Sequence, residues 1–313
     1  MDFSGRLRGN LFSGKFRNRS LALTVAAAAL TAPPSAFGAT ADPVRGKYVL
    51  AAAGCAACHT DKKNKGRPLA GGRALKTPFG VFYSPNITPD PVHGIGRWSD
   101  ADFVRALRHG RAPDGGHFFP AFPYPSYTAM NERDMLDLKA HLFTLPPVAQ
   151  PNKPHDLTPP FGWRFLVSFW KLLYFTPGPY RPEPAKGDEW NRGAYLVRAL
   201  GHCGECHTPR DPLGGKKPDM ELAGTEAGPE GGIIPNITPD KDTGIGGWRD
   251  RQLADFLESG MQPDGDYVGG AMGEVIDENT GRLTDADRRA IIAYLKSLPP
   301  VRHKVEKKKK AGG

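Results

Sequence analysis

The sequence predicts an all-α protein made of two tandem copies of one small helical unit, joined by a proline-rich linker. Three observations carry that prediction. The only four cysteines of the 313 residues form two Cys-x-x-Cys-His motifs, at Cys55, Cys58, His59 and at Cys203, Cys206, His207. The surroundings of the motifs repeat: Pro85-Asn86-Ile87-Thr88-Pro89-Asp90 returns as Pro235-Asn236-Ile237-Thr238-Pro239-Asp240, Gly94-Ile95-Gly96 as Gly244-Ile245-Gly246 and Trp98 as Trp248, all at an offset of 150. Ten prolines crowd between Pro146 and Pro184, a composition that favours an extended, semi-rigid path.

The elements follow in order. Residues 1–41 read as a cleaved secretory signal peptide. Arg6, Arg8, Lys15, Arg17 and Arg19 precede a short apolar run, Leu21 to Leu30, and then small residues that suit cleavage near Ala36-Phe37-Gly38 or Ala39-Thr40-Ala41. The run is roughly half of what a bilayer-spanning helix needs. Residues 42–150 form the first unit. A helix runs from about Pro43 into the first motif, followed by a loop rich in Gly, Pro, Asn and Thr. A second helix starts after Trp98 with Ser99 as its N-cap, and a last helix covers about Glu132 to Thr144 and stops at Pro146-Pro147. Residues 151–187 are the linker, and within it lies the aromatic, apolar stretch FGWRFLVSFWKLLYF, residues 161–175. Residues 188–301 repeat the unit, with Thr284 capping the last helix from Asp285 to Ser297 and Asp287 three residues on. Residues 302–313 are a lysine-rich tail.

Each Cys-x-x-Cys-His motif has the spacing of a c-type haem attachment site: two thiols for the haem vinyl groups and an imidazole for the iron. A four-cysteine zinc site or a dithiol redox pair would use the cysteines but would leave the histidine after each pair unexplained. Two covalently bound haem c groups are therefore expected, with His59 and His207 as iron ligands. A methionine thioether commonly completes such a site and raises its potential. Met272, in the glycine-rich run GGAMGE beyond His207, which reads as a loop, is the expected sixth ligand of the second haem. The 150-residue offset places Phe122 opposite it, and phenylalanine cannot bind iron. At the first haem three outcomes stay open: Met130 swings in, His117 gives bis-histidine ligation, or the iron is open. Met135 sits at core spacing on the last helix, and His93, His109, His141 and His202 have no positional case beyond ordinary roles.

The formal charge of +9 is concentrated at the ends. Residues 1–38 hold five cations and one acid, and Lys304–Lys310 five lysines and one acid, so the body between them is near +1. No nucleic-acid groove is implied. The lysine tail, or residues 161–175, suits a peripheral membrane contact.

The run TPFGVFYSPNITPD from Thr77, the segment GIGRWSDADFVRALRHG and the stretch YPSYTAM resemble the cytochrome c subunits of bacterial membrane-bound alcohol and gluconate dehydrogenases, over residues 43–301. The resemblance implies two tandem class I cytochrome c-like domains. Similar sequences often carry methionine at the Phe122 position, as AMPY, and often have a third haem domain that has no motif here. It also implies a periplasmic electron carrier. Its partners would be a dehydrogenase of alcohol, sugar acid or aldehyde type and a quinone or respiratory-chain acceptor. The competing expectation is a haem enzyme with an open first iron, such as a di-haem peroxidase or a thiosulfate-oxidising cytochrome.

Overall fold

Helix α1 (Pro43–Ala52) starts where Asp42 accepts a hydrogen bond from Val44 N at 2.8 Å, with Pro43 at the first helical position. The chain turns at Gly54 (φ +62°) into the short helix α2 (Cys55–His59), which carries the first motif. Helix α3 (Asp100–His109) begins at a reciprocal Ser99–Asp102 capping box and ends at Gly110 in the left-handed conformation. Helices α4 (Tyr124–Tyr127) and α5 (Glu132–Leu142) complete the first repeat, and α6 (Leu166–Tyr174) lies in the linker. The second repeat comprises α7 (Asp188–Tyr195), a π-helical turn over Leu196–Leu200, α8 (Gly204–His207), α9 (Asp250–Ser259), α10 (Gly270–Glu278) and α11 (Asp285–Ser297). The computed structural model describes residues 40–228 and 232–306. The expected signal peptide, apart from Thr40 and Ala41, and the tail lysines from Lys307 onward lie outside that range.

Two features depart from the sequence-based expectation. The all-helical reading is incomplete, because β1 (Ala74–Thr77), β2 (Gly80–Tyr83) and β3 (Asp156–Leu157) form a small antiparallel sheet in the order β1-β2-β3. The linker supplies β3, which pairs Leu157 with Gly80, a contact across 77 positions that no local pattern announces. The glycine-rich run around Met272 is helix α10 rather than a loop. Ile276 on its inner face is buried, and that packing outweighs the low helical preference of the glycines.

In each repeat the first helix crosses the last at backbone distance. A β-carbon at Gly46 would lie 1.8 Å from Asp137 O, and one at Gly193 would lie 1.9 Å from Ala290 O, so only glycine permits either crossing. The described residues from Thr40 onward form one compact unit, and reciprocal bonds join the repeats. Tyr48 of α1 donates to Asp287 of α11 at 2.6 Å and accepts from Thr284 N at 3.1 Å. Tyr195 of α7 donates to Asp134 of α5 at 2.7 Å and accepts from Asn131 N at 3.1 Å. Each aspartate is also paired within its own repeat, Asp134 with Arg45 and Asp287 with Arg192 at 2.6 Å.

Burial alone would raise the Asp287 carboxyl, yet the hydrogen bonds from Arg192 and Tyr48 outweigh it and hold the group below the usual carboxylate value. A carboxyl depressed in the folded state adds stability above its unfolded pKa and loses it as pH falls through the folded value. Asp287→Asn is therefore expected to destabilise the protein by roughly 2 kcal/mol at neutral pH. The difference from wild type should shrink as pH drops below about 4, which thermal unfolding measured across pH checks.

Candidate functional site

The two motifs are held by matching local architecture. His59 Nδ1 lies 2.7 Å from Pro85 O, and His207 Nδ1 lies 2.8 Å from Pro235 O. A carbonyl can only accept, so the proton sits on Nδ1 and the Nε2 lone pair is left to donate to a metal. The two carbonyls are placed by the repeated Pro-Asn-Ile-Thr loop. Asn86 Nδ2 donates to Val148 O at 2.7 Å while its Oδ1 accepts from Thr88 N at 2.9 Å and Thr88 Oγ1 at 2.7 Å. In the second repeat Asn236 Nδ2 donates to Val301 O at 2.7 Å, and its Oδ1 accepts from Thr238 N and Oγ1, both at 2.8 Å. The Pro-Asn-Ile-Thr loop of each repeat is thus bonded to the segment after the last helix, at Val148 and at Val301, and through the loop that segment orients the histidine.

Burial dominates the electrostatics of the cradles. Burial, with Cys58 adding to it, pushes the Cys55 thiol up to about 12. Burial likewise takes Cys203 to about 12 and, with Glu205 and Cys58 contributing, Cys206 to about 11. Burial lowers His59 and His207, so both imidazoles are neutral near pH 7, the form that binds iron. No disulfide joins the four cysteines. Among the described residues no three His, Cys, Asp or Glu side chains converge on a point that could hold a metal ion. Each motif offers two thiols and one imidazole, the donors a c-type haem would take, and the described residues do not build a four-cysteine zinc site. Burial would raise the Glu205 carboxyl inside the second motif, but Lys216, Arg210 and Ser126 hold it down at about 2.

The far side of each cradle differs. Met272 lies in the first turn of α10 and is partly exposed. Phe122 instead packs edge-on to Phe118 and Tyr124, with ring centroids 5.5 and 6.3 Å away. Met130 is fully buried immediately before the α5 N-cap Asn131, and Leu283 is buried immediately before the α11 N-cap Thr284. The two backbone carbonyls each accept from an arginine, Arg108 at 2.7 Å and Arg288 at 2.6 Å. His117 faces α6, with Nε2 3.2 Å from Ser168 Oγ. Its neighbour Phe118 turns instead toward Trp98 and Phe122. Met135 is buried on α5, as its spacing predicts.

Two residues escaped the sequence reading. Tyr127 is buried and donates to Ala53 O at 2.7 Å, next to the first motif. Its ring meets that of His202, which adjoins the second motif, at 5.4 Å. The signal was present in the sequence: the second repeat has one more residue than the first between its helix glycine and its first cysteine.

Comparison with known proteins gives a consistent family. The cytochrome c family model matches residues 191–299. The chain is 47% identical over 268 residues to a "Diheme cytochrome c-type" protein of Cereibacter sphaeroides, covering 84% of this chain and 88% of the relative. It is 41% identical to the cytochrome c subunit of alcohol dehydrogenase (quinone) from Gluconacetobacter polyoxogenes, covering 88% of this chain and 60% of that subunit. It is 42% identical to the fructose dehydrogenase cytochrome subunit of Gluconobacter japonicus, covering 82% and 52%. The chain thus spans little more than half the length of these two dehydrogenase subunits.

Removing the side chain that shapes one cradle should disturb that cradle alone. Asn86→Ala is expected to destabilise the protein by about 2 kcal/mol, since it leaves Val148 O and the Thr88 groups without their partner. It should also broaden the absorption of the first haem while leaving the second unchanged. Asn236→Ala should do the reverse, and thermal melts with visible spectra of the two variants check both.

Proposed function

This chain belongs to the cytochrome c family, with covalently bound haem c and electron transfer as its chemistry, and on that premise we propose that it carries two haems on the periplasmic side of the membrane. There it passes single electrons from a dehydrogenase partner to a quinone or other respiratory acceptor. The observation that carries this reading is the doubled cradle, in which each motif histidine has its Nδ1 proton held by a proline carbonyl. Cytochrome subunits of alcohol and fructose dehydrogenases among the relatives support a dehydrogenase as the donor. Bound haem supplies a reversible one-electron iron couple, and everything else falls to the chain. Cys55 and Cys58, and Cys203 and Cys206, would hold the macrocycles through thioether bonds. His59 and His207 would present Nε2 to the iron. Met272 would be the sixth ligand of the second site and Met130 that of the first. Their unlike surroundings would give the two centres unlike potentials.

The linker helix α6 adds a surface contact. Phe165, Phe169, Leu172 and Leu173 project outward, 60, 63, 84 and 68% exposed, with Trp163 beside them. The one cation of the helix turns inward: Lys171 Nζ donates to His109 O at 2.6 Å and Gly110 O at 2.8 Å, and burial beside Arg111 brings it down to about 8. Among the described residues no helix is long and apolar enough to cross a membrane. A protruding apolar ridge suits a bilayer surface, where aromatic and leucine side chains enter the headgroup region.

Substitution reads out the ligands. Met272→Leu should abolish the thioether-to-iron charge-transfer band of one haem. Met130→Leu installs the residue found at the matching position of the second repeat, a near volume-conserving exchange expected to change stability by less than about 1.5 kcal/mol. It should abolish the band of the other haem; an unchanged spectrum would exclude Met130 and leave His117 ligation or an open iron, of which only the open iron would bind added small ligands. For the surface contact, the protein should float with vesicles containing anionic lipid. Phe169→Asp with Leu172→Asp should release it without altering either haem spectrum, and retained binding of that variant would sink the membrane reading.

A further inference from the structure

We infer that His202 of the second repeat, at the place of Gly54 in the first, and Tyr127 of the first form a bridge that fixes the separation and the packing between the two haem attachment motifs. The inference rests on the electron-transfer reading above and names the residues that serve exchange between its two centres.

Three independent observations lead to it. The first is an insertion. The first repeat runs RGKYVLAAAG into Cys55, and the second runs RGAYLVRALGH into Cys203, one residue longer. The chain absorbs the extra residue as the π-helical turn over Leu196–Leu200, where Gly201 N reaches back to Leu196 O at 2.6 Å. Single π turns of this kind mark functional positions more often than chance. The second is strain. His202 has φ +40°, and the residue in the same place in the first repeat, Gly54, has φ +62°. The turn into the motif helix demands a left-handed residue, which glycine adopts freely and histidine only against a penalty of roughly 1–3 kcal/mol. The first repeat demonstrates that glycine suffices, so the histidine is held there by something other than the turn.

The third observation shows what the ring meets. His202 packs edge-on against Tyr127 at 5.4 Å with an interplanar angle of 80°. Tyr127, 6% exposed, donates its hydroxyl to Ala53 O, two residues before Cys55. One continuous path therefore runs from Cys55 along the backbone to Ala53, across a 2.7 Å hydrogen bond to Tyr127, and through a ring contact to His202 and Cys203. Two further bonds clamp the path from outside. Asn279 of the second repeat donates to Ala52 O at 2.9 Å, and Ser126 of the first donates to Glu205 of the second motif at 2.6 Å. A packed contact of this kind holds two centres at one distance and gives an electron a short covalent and hydrogen-bonded route between them. In the exchange one centre loses an electron and the other gains it, with no bond made or broken and no proton released.

The test uses the full-length, haem-loaded protein and two variants, His202→Gly and Tyr127→Phe. Four quantities are measured: haem per chain, the two midpoint potentials, thermal stability, and the rate at which an electron injected by flash photoreduction equilibrates between the haems. Both variants should retain two haems and unshifted potentials. His202→Gly should be as stable as wild type or more so, because glycine relieves the left-handed strain. Its equilibration should slow severalfold, and Tyr127→Phe, which keeps the ring but loses the bond to Ala53, should slow less. Unchanged equilibration in both variants overturns the bridge. So does a slowing fully accounted for by shifted potentials, or a loss of haem from His202→Gly, which would make His202 an attachment residue. A wild-type chain that carries a single haem would instead defeat the electron-transfer reading, independently of either variant.

Discussion

An imidazole can offer Nε2 to a metal in a fixed direction only if its Nδ1 proton is anchored elsewhere. In this chain the anchors are Pro85 O and Pro235 O, and much of the surrounding structure serves to place those two atoms. Each carbonyl belongs to a loop with no helix or strand of its own, so its position has to come from side chains. Asn86 and Asn236 supply it. Each folds its own loop by accepting from the threonine two residues on, and ties that loop to the segment after the last helix. That segment is in place because the last helix is gripped by the first at a glycine crossing. The direction of a single lone pair is thereby traced to contacts roughly 60 and 90 residues away in sequence.

The same helices set the relation between the repeats. Tyr48 and Tyr195 exchange partners across the junction: each hydroxyl accepts the N-cap amide of the other repeat's last helix and donates to a carboxylate in its first turn. Asp134 and Asp287 are buried, at 5 and 8% exposure, and a buried carboxylate persists only when its charge is paired and its oxygens are hydrogen-bonded. Arg45 and Arg192 provide the charge and the tyrosines complete the bonding. Separating the repeats would leave two buried acids short of a donor and two helix ends short of an acceptor.

These distances explain what could be read from the sequence. The caps at Ser99 and Thr284, the helix starts at Asp100 and Asp285, and the stops before Pro146 and Pro299 depend on neighbours within four residues, and they were legible. The small sheet was not, because β3 comes from the linker and pairs with a strand some 75 residues earlier. Nor was helix α10, where glycines argue for a loop and only the burial of Ile276 argues otherwise. His202 is the instructive miss. Taken alone it is one more histidine without a pattern. Its meaning lies in a one-residue difference between repeats, in a dihedral angle, and in a tyrosine 75 positions away.

The repeats therefore agree where geometry is demanding and diverge where chemistry is set. On the proximal side both motifs share the proline carbonyl, the asparagine and the crossing glycine, and differ by the buried Glu205 carboxylate inside the second motif. On the distal side Phe122 occupies the place that aligns with Met272, and Met130 occupies a buried position that packs as Leu283 in the other repeat. Thioether ligation favours reduced iron and raises the potential, so gaining or losing one such bond would separate the two centres. The junction is asymmetric in the same sense, with histidine on one side and glycine on the other. A left-handed histidine survives only where its surroundings over-determine it, and here those surroundings are Tyr127 from the opposite repeat and the carbonyl of Ala53 that Tyr127 holds. The strain at His202 is thus borne by the contact between the repeats, and that places the most specialised residue of the chain between the two motifs.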